Sequence, residues 1–428
     1  MTESALTSLD TVTQSAVRKA AWRLIPLLCV AYIISYIDRT NVGFAALTMN
    51  PDLGLTAEQF GFAAGMFFVG YCIFEIPSNV ALQRYGARRW LARIMVTWGL
   101  AAAGTAFATG PVSYSVIRFI TGVAEAGFYP GAIFYIATWF PVAVRGRILA
   151  WFVVAVPLSS VISGPISTAL LEMDGVYGLT GWQWLFIIEG LPACLLGAIT
   201  LKMLADRPED ARWLTPEEKR ALRAQLDSEA HPSTKKDLWS ALVDPRVLVL
   251  SLAYFFFVTG SIGVGIWLPQ ILKPFGLTTL EVGFVSAIPY IAGCVALILW
   301  SHLLDRSRKY LKNYAIGCFV SALGFLSSVF TDNLWLAVAG VSIALIGMSG
   351  ARPAIFCIPP RFLSGAAAAG GIALINSFGN LGGFLGPYAI GWIRQNTGGF
   401  TGALYFLAAS MALSAILCLG VRFLKVKA

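Results

Sequence analysis

Residues 206–246 read DRPEDARWLTPEEKRALRAQLDSEAHPSTKKDLWSALVDPR, a charged stretch with four prolines in a chain that is otherwise strongly apolar. Six apolar runs precede it, at about 22–46, 60–81, 91–109, 113–135, 147–170 and 182–204. Six follow, at about 247–271, 282–304, 313–330, 334–357, 363–390 and 400–422. A helix needs about 20 residues to cross the hydrocarbon layer, so each run predicts one crossing. The expected order is an N-terminal tail (1–21), a six-helix bundle (22–204), a linker (205–246), a second six-helix bundle (247–422) and a short tail (423–428). Inside the linker, Thr215 as N-cap, Pro216 at the first helical position and Glu218 at the third predict a short surface helix.

Composition agrees. The 428 residues are 57% hydrophobic and 12% charged, with a mean hydropathy of +0.73; a soluble domain carries about 25% charged residues. The net charge of +9 does not mark a nucleic-acid binder, because the basic residues punctuate apolar runs instead of gathering on one solvated face. The seven Cys stand singly in apolar stretches, and the two His, His231 and His302, lie in a polar loop and at a helix end. No metal site or cofactor is expected from them. No Ser-His, Cys-His or HExxH arrangement points to an enzyme, and the linker is too short for the output domain of a sensor. The first 21 residues are polar and carry no cleavage signal of a secreted protein.

Orientation follows from the basic residues, because positive flanks stay in the cytoplasm. One set of loops holds Arg84, Arg88, Arg89 and Arg93, then Arg145 and Arg147, then Arg306, Arg308, Lys309 and Lys312, and both tails are basic too. The alternate loops hold only Lys273 and Arg394. Both termini and the linker are therefore expected in the cytoplasm, which requires an even number of crossings. The halves also echo each other. GFYPGAIF from Gly127 and the Gly164-Pro165 pair reappear as GARPAIF from Gly350 and Gly386-Pro387, at offsets that agree to within one residue. Two duplicated bundles with a site between them at mid-membrane are the expected result.

Seven charged residues fall well inside the runs, away from their ends: Asp38, Arg39, Glu75, Arg118, Glu125, Glu189 and Arg352. Each costs about 2.5–3.5 kcal/mol at a helix centre on insertion scales, so such residues face a cavity or a partner. Arg118 and Glu125 lie seven apart, on one helix face with Thr121 and Gly122 between them. Arginine offers a rigid fork of donors to a carboxylate, and a carboxyl group in a dry cavity exchanges a proton near neutral pH. In the first helix Tyr32, Tyr36, Arg39 and Gly43 share a stripe, with Asp38 about 100° away. Tyr71 and Glu75 repeat the theme at i, i+4 in the second. An internal neutral Asp-Arg pair is the structural alternative. Glu75, near Arg84, and Glu189 suit structural or gating roles. Arg352 precedes Pro353 and lies opposite Tyr129 in the repeat, as a third cation for a substrate or as an arginine snorkelling to the surface. Gln270 and Asn376 offer amides, the latter among Gly379, Gly382, Gly383 and Gly386, where helices can approach closely.

The chain resembles the major facilitator superfamily and, within it, the anion:cation symporters that include bacterial tartrate, galactonate, hexuronate and phthalate permeases. The likeness runs nearly the whole length and rests on SYIDRTNVGFAAL, GYCIFEIPSNVALQRYGARRW, RFITGVAEAGFYPG, GWQWLFIIEGLPA and INSFGNLGGFLGP. It implies a proton-coupled symporter for a small organic carboxylate, in a bacterial inner membrane, acting as a monomer with no cofactor. It also implies proton coupling at Asp38 and Glu125, substrate or gating roles for Arg39 and Arg118, and a cavity bordered by Tyr36, Tyr71 and Asn376. The superfamily's loop motif after the second helix departs here, with Asn79 and Gln83 where Gly and Asp are usual. The second-half copy keeps Asp305 before Arg306. Gating in the first half would then rest on Glu75 and the basic loop. A dicarboxylate, a sugar acid and an aromatic acid all fit as substrate, and uniport or exchange without protons is the competing mode.

Overall fold

The computed structural model describes residues 9–229, 242–363 and 365–424, without the side chains of residues 305, 365, 366 and 369. Its crossing helices, numbered by passage, are α1 (Thr11–Asp52), α2 (Ala57–Tyr85), α3 (Ala87–Gly104), α4 (Pro111–Trp139), α5 (Val142–Leu171) and α6 (Gly181–Met203). After the linker come α7 (Pro245–Leu272), α8 (Thr279–Ser307), α9 (Tyr310–Val329), α10 (Leu334–Phe356), α11 (Gly365–Asn380 continued by Gly382–Thr397) and α12 (Thr401–Gly420). Among the described residues, nine of these are long and apolar enough to cross a membrane on length and composition alone. The other three are α3, which opens on Arg88 and Arg89, α9, which opens on Lys312 and Asn313, and α11, which is split in two.

Packing repeats with a shift of six helices. α1 packs on α5 and α6 as α7 does on α11 and α12, α2 packs on α4 as α8 does on α10, and α3 packs on α6 as α9 does on α12. Between the halves α2 meets α11 and α5 meets α8, which the same shift interchanges, and α1 meets α7 on the symmetry axis. In lipid no hydrophobic force draws helices together, so small residues that admit a neighbouring backbone set these contacts. A Cβ on Gly43 would lie 2.3 Å from the Ile266 carbonyl oxygen, and one on Gly164 would lie 2.5 Å from that of Gly283. These contacts fall in the parts of the helices distant from the linker, here termed the far face, where the two halves are sealed.

Several boundaries differ from the sequence expectation. Residues 11–21, expected as tail, begin α1, capped by Asp10, whose Oδ1 accepts from the amides of Val12 and Thr13. The linker helix (Pro216–Ser228) docks on this extension. Glu218 Oε1 accepts from Ser15 Oγ and Lys19 Nζ at 2.7 Å each, and Trp213 stacks on Trp139 with ring centroids 5.5 Å apart. The capping box of Thr215 and Glu218 forms as the sequence implies. α4 breaks after Glu125, where Gly127 takes φ +88° and Ser78 Oγ would lie 2.3 Å from a Cβ. Only glycine meets both conditions. Residues 1–8 and 425–428 of the tails and 230–241 of the linker lie outside the described residues.

Candidate functional site

Arg39 and Glu125 each lie roughly 20 Å from the far end of their helices at 1.5 Å per residue, which is mid-membrane. They meet there. Arg39 donates to Glu125 Oε1 through Nε at 2.9 Å and through Nη2 at 2.6 Å, and Ser35 Oγ donates to the same oxygen at 2.6 Å. Glu125 is fully buried, yet its second oxygen, Oε2, has no protein partner. The ion pair therefore runs between α1 and α4. The shared face of Arg118 and Glu125 along α4 does not close into a pair.

Arg118 is 2% exposed and lies within ion-pair distance of no carboxylate among the described residues. Its guanidinium carbon stands 5.0 Å from the Phe67 ring centroid, and that of Arg39 stands 5.3 Å from the same ring. Arg39 also faces the rings of Tyr36 at 5.2 Å and Tyr71 at 5.0 Å. Aromatic faces attract a cation without neutralising it. Along α4, Tyr114 Oη, Arg118 Nε and Glu125 Oε2 are all buried without partners. Orphaned polar atoms are uncommon in folded proteins and call for an explanation such as a bound molecule.

The second half contributes Arg352, half-buried on α10 among the phenols of Tyr254 from its own half and Tyr32, Tyr36 and Tyr129 from the other. It too has no carboxylate within ion-pair distance among the described residues. Arg352 thus faces the interface between the halves and does not snorkel outward. Arg118 and Arg39 thus share the Phe67 ring, and the Tyr36 phenol lies between Arg39 and Arg352 in its electrostatic contacts. The half-buried Asn376 amide makes no hydrogen bond to a described residue, and its neighbour Ser377 reaches across the halves to donate to Glu75 Oε2 at 3.0 Å.

The remaining candidates lie apart from this group. Asp38 points toward α3, where Oδ2 accepts from Trp98 Nε1 at 2.5 Å and Oδ1 has no partner. Glu189 joins three helices, accepting from Asn41 Nδ2 and Ser167 Oγ at 2.8 Å each. Gln270 is close to the far end of α7, bonded to Arg394 Nη1. Arg84 is exposed over the Tyr85 ring, away from Glu75. Arg306 is exposed, and the Asp305 side chain lies outside the described residues. The loop between α2 and α3 is held instead by Asp206, whose Oδ1 accepts from the Arg88 amide at 2.8 Å. Sequence reasoning missed Ser35, Phe67, Tyr114 and Trp98. The first three stand four residues before Arg39, Tyr71 and Arg118, a spacing that marks a shared face; Trp98 has no local signal.

The model of the Major Facilitator Superfamily matches residues 28–355 and 250–428. The chain belongs to this superfamily. Superfamily relatives cover nearly its full length. A protein of Agrobacterium vitis named for tartrate transport is 46% identical over 404 residues, covering 94% of this chain and 90% of its own. A quinolone resistance transporter of Acinetobacter baumannii is 40% identical over 412 residues, covering 94% of each chain. Among solved structures, a D-xylose-proton symporter superposes with a TM-score of 0.76 at 16% identity, covering 93% of this chain and 97% of that one. The superfamily's two-bundle fold thus carries this site, and the protein is a membrane transporter.

Proposed function

We propose that the protein imports a small organic anion together with protons, by rocking residues 22–204 against 247–422 across a bacterial inner membrane. One observation carries the reading: Arg39 is held by a carboxylate, Glu125, that has a free buried oxygen. Protonation of Glu125 removes the charge that occupies Arg39, and a substrate carboxylate can then take the same guanidinium in a bidentate pair. Proton and anion each tighten the other's binding, as coupled transport requires. Asp38, buried behind the site against Trp98, is the second proton-coupling carboxylate. Asn376, Tyr36 and Tyr71 border the substrate, and Glu75 with Ser377 forms a gate contact between the halves.

Arg118 and Arg352 supply two positive charges without ion-pair partners among the described residues, which matches a dicarboxylate or a sugar acid. The relative named for tartrate transport supports the same substrate class. The basic loops support a cytoplasmic linker face, and in this reading the sealed far face is periplasmic and both termini are internal. Two protons carried with a monoanion would move net positive charge inward, worth about 2.3 kcal/mol per charge per 100 mV. The protein acts as a monomer.

The test is uptake of labelled tartrate, galactonate and benzoate into proteoliposomes under an imposed proton gradient, acidic outside. Accumulation of one acid above equilibrium, collapsing when an ionophore removes the gradient, supports symport. Equilibration without accumulation would leave uniport or exchange.

A further inference from the structure

The far face presents a cavity between the halves, of about 590 Å³, bordered by Asn50 of α1, Gln270 and Lys273 at the end of α7, and Arg394 and Gln395 of α11. Lys273 and Arg394 are the two basic residues that the sequence leaves on this face. Positive residues are depleted from that side of membrane proteins, and the two retained here border one cavity. No acidic residue lines it, and neither cation has a carboxylate within ion-pair distance among the described residues.

The Arg394 guanidinium is already positioned. It stands 4.6 Å from the Phe400 ring centroid and 5.6 Å from that of Trp267, with Nη1 donating to Gln270 Oε1. Lys273 Nζ donates to the Leu277 carbonyl oxygen at 3.1 Å. Gln270 is 6% exposed, and its Nε2 is buried without a partner. An amide fixed through its oxygen to an arginine presents its N–H groups as further donors to the ligand that the arginine binds. The exposed Glu281 carboxylate acts on Lys273 from beyond ion-pair distance, so two cations with no carboxylate paired to them among the described residues and an unsatisfied amide donor form a receptor for a small carboxylate.

We propose that this cavity is an outer anion station, where a carboxylate from the far side docks on Arg394, Lys273 and Gln270 before the halves part. The closure at Gly43 and Ile266 lies between it and the Arg39–Glu125 pair. The inference rests on the organic-anion reading for its ligand class, but it assigns residues that the central site does not use. Docking here concentrates anions at the seam that opens, and Arg394 and Gln395 both lie on α11, which moves with the second half. Gln395 Oε1 also accepts from the Ala57 amide of α2 at 3.2 Å, so an anion drawing on this cluster acts at a contact between the halves.

Acylation of Lys273 by a membrane-impermeant succinimidyl ester, followed by peptide mass spectrometry, tests the station without requiring transport. Tartrate, galactonate and benzoate serve as probes, each against chloride at matched ionic strength. At least one acid is expected to slow Lys273 labelling threefold or more. Protection should persist in Arg118→Gln, disappear in Arg394→Gln and return in Arg394→Lys, with each variant checked for monodisperse folding. Equal labelling rates with every acid and with chloride would overturn the station. Protection that vanishes in Arg118→Gln would also overturn it, by assigning the effect to the central site. Uptake by the same preparations judges the transport reading separately: wild-type accumulation with unprotected Lys273 sinks the station alone, and protected Lys273 without uptake of any acid sinks the transport reading alone.

Discussion

Arg39 directs two of its nitrogens, Nε and Nη2, at one oxygen of Glu125, and the other oxygen of that carboxylate is buried with nothing to accept from. A pair built for stability would engage both oxygens in parallel bonds. This one leaves room for a proton at the unpaired oxygen and for a competing carboxylate at the arginine, and its behaviour under substitution follows from that asymmetry.

Glu125→Gln keeps the shape of the carboxyl group and removes its charge permanently. Accumulation driven by a proton gradient is expected to fall to background, while counterflow of labelled against unlabelled substrate continues at within a few-fold of the wild-type rate. Unchanged accumulation in proteoliposomes would remove Glu125 from the coupling role.

Arg118 carries a buried charge with no ion-pair partner among the described residues, an arrangement expected to cost the fold stability. Arg118→Met fills a similar volume without that charge, and stabilities gained at functional sites commonly accompany lost activity. The expected result is a melting temperature in detergent equal to or a few degrees above wild type, with at least a hundredfold loss of substrate affinity. A lower melting temperature with affinity retained would make Arg118 a structural residue.

Gly43→Ala places a methyl group 2.3 Å from the Ile266 carbonyl oxygen across the sealed far face. Backbone atoms on both sides leave little room to relax, so the closed arrangement is disfavoured. Cysteine labelling at Asn50→Cys from the far side should rise severalfold in the Gly43→Ala background. Gly122→Ala gives the contrast, because its Cβ would meet the Phe67 carbonyl oxygen inside one half; it should lower thermal stability and leave far-face accessibility unchanged.

Lys19 and Ser15 hold the Glu218 carboxyl down to about 2, below its ordinary 4.5. A depressed carboxyl contributes its stabilisation fully above the unfolded value and loses it as pH falls from 4.5 through about 2. Hydrogen exchange of Pro216–Ser228 is therefore expected to be slow and flat from pH 7 to 5, once intrinsic exchange is corrected, and to accelerate below 4.5. Glu218→Gln should show the fast exchange at every pH.

Twelve crossings, the central break and the short helix at Thr215 were legible because lipid imposes a single rule on sequence: about twenty apolar residues per passage, with charges between them. The paired offsets of Gly127 with Gly350 and Gly164 with Gly386 showed two halves by the same local logic. The start of α1 at Thr11 was not legible, since those polar residues are helical through docking with Glu218, and neither was the break after Glu125, which depends on Ser78 occupying the space beside Gly127.

The sequence alone determined that Arg39, Arg118, Glu125 and Arg352 lie at membrane depth, because their flanks leave no other place for them. Tertiary structure decided how they combine. Arg39 closes on Glu125, Arg118 and Arg352 have no carboxylate within ion-pair distance among the described residues, Asp38 turns to Trp98, and Gln270 with Arg394 belongs to the far face. Helical periodicity fixes which face of one helix a residue occupies, but a pair between α1 and α4 depends on how those helices rotate against each other. Contacts between residues distant in the chain set that rotation, at close approaches such as Gly122 on Phe67.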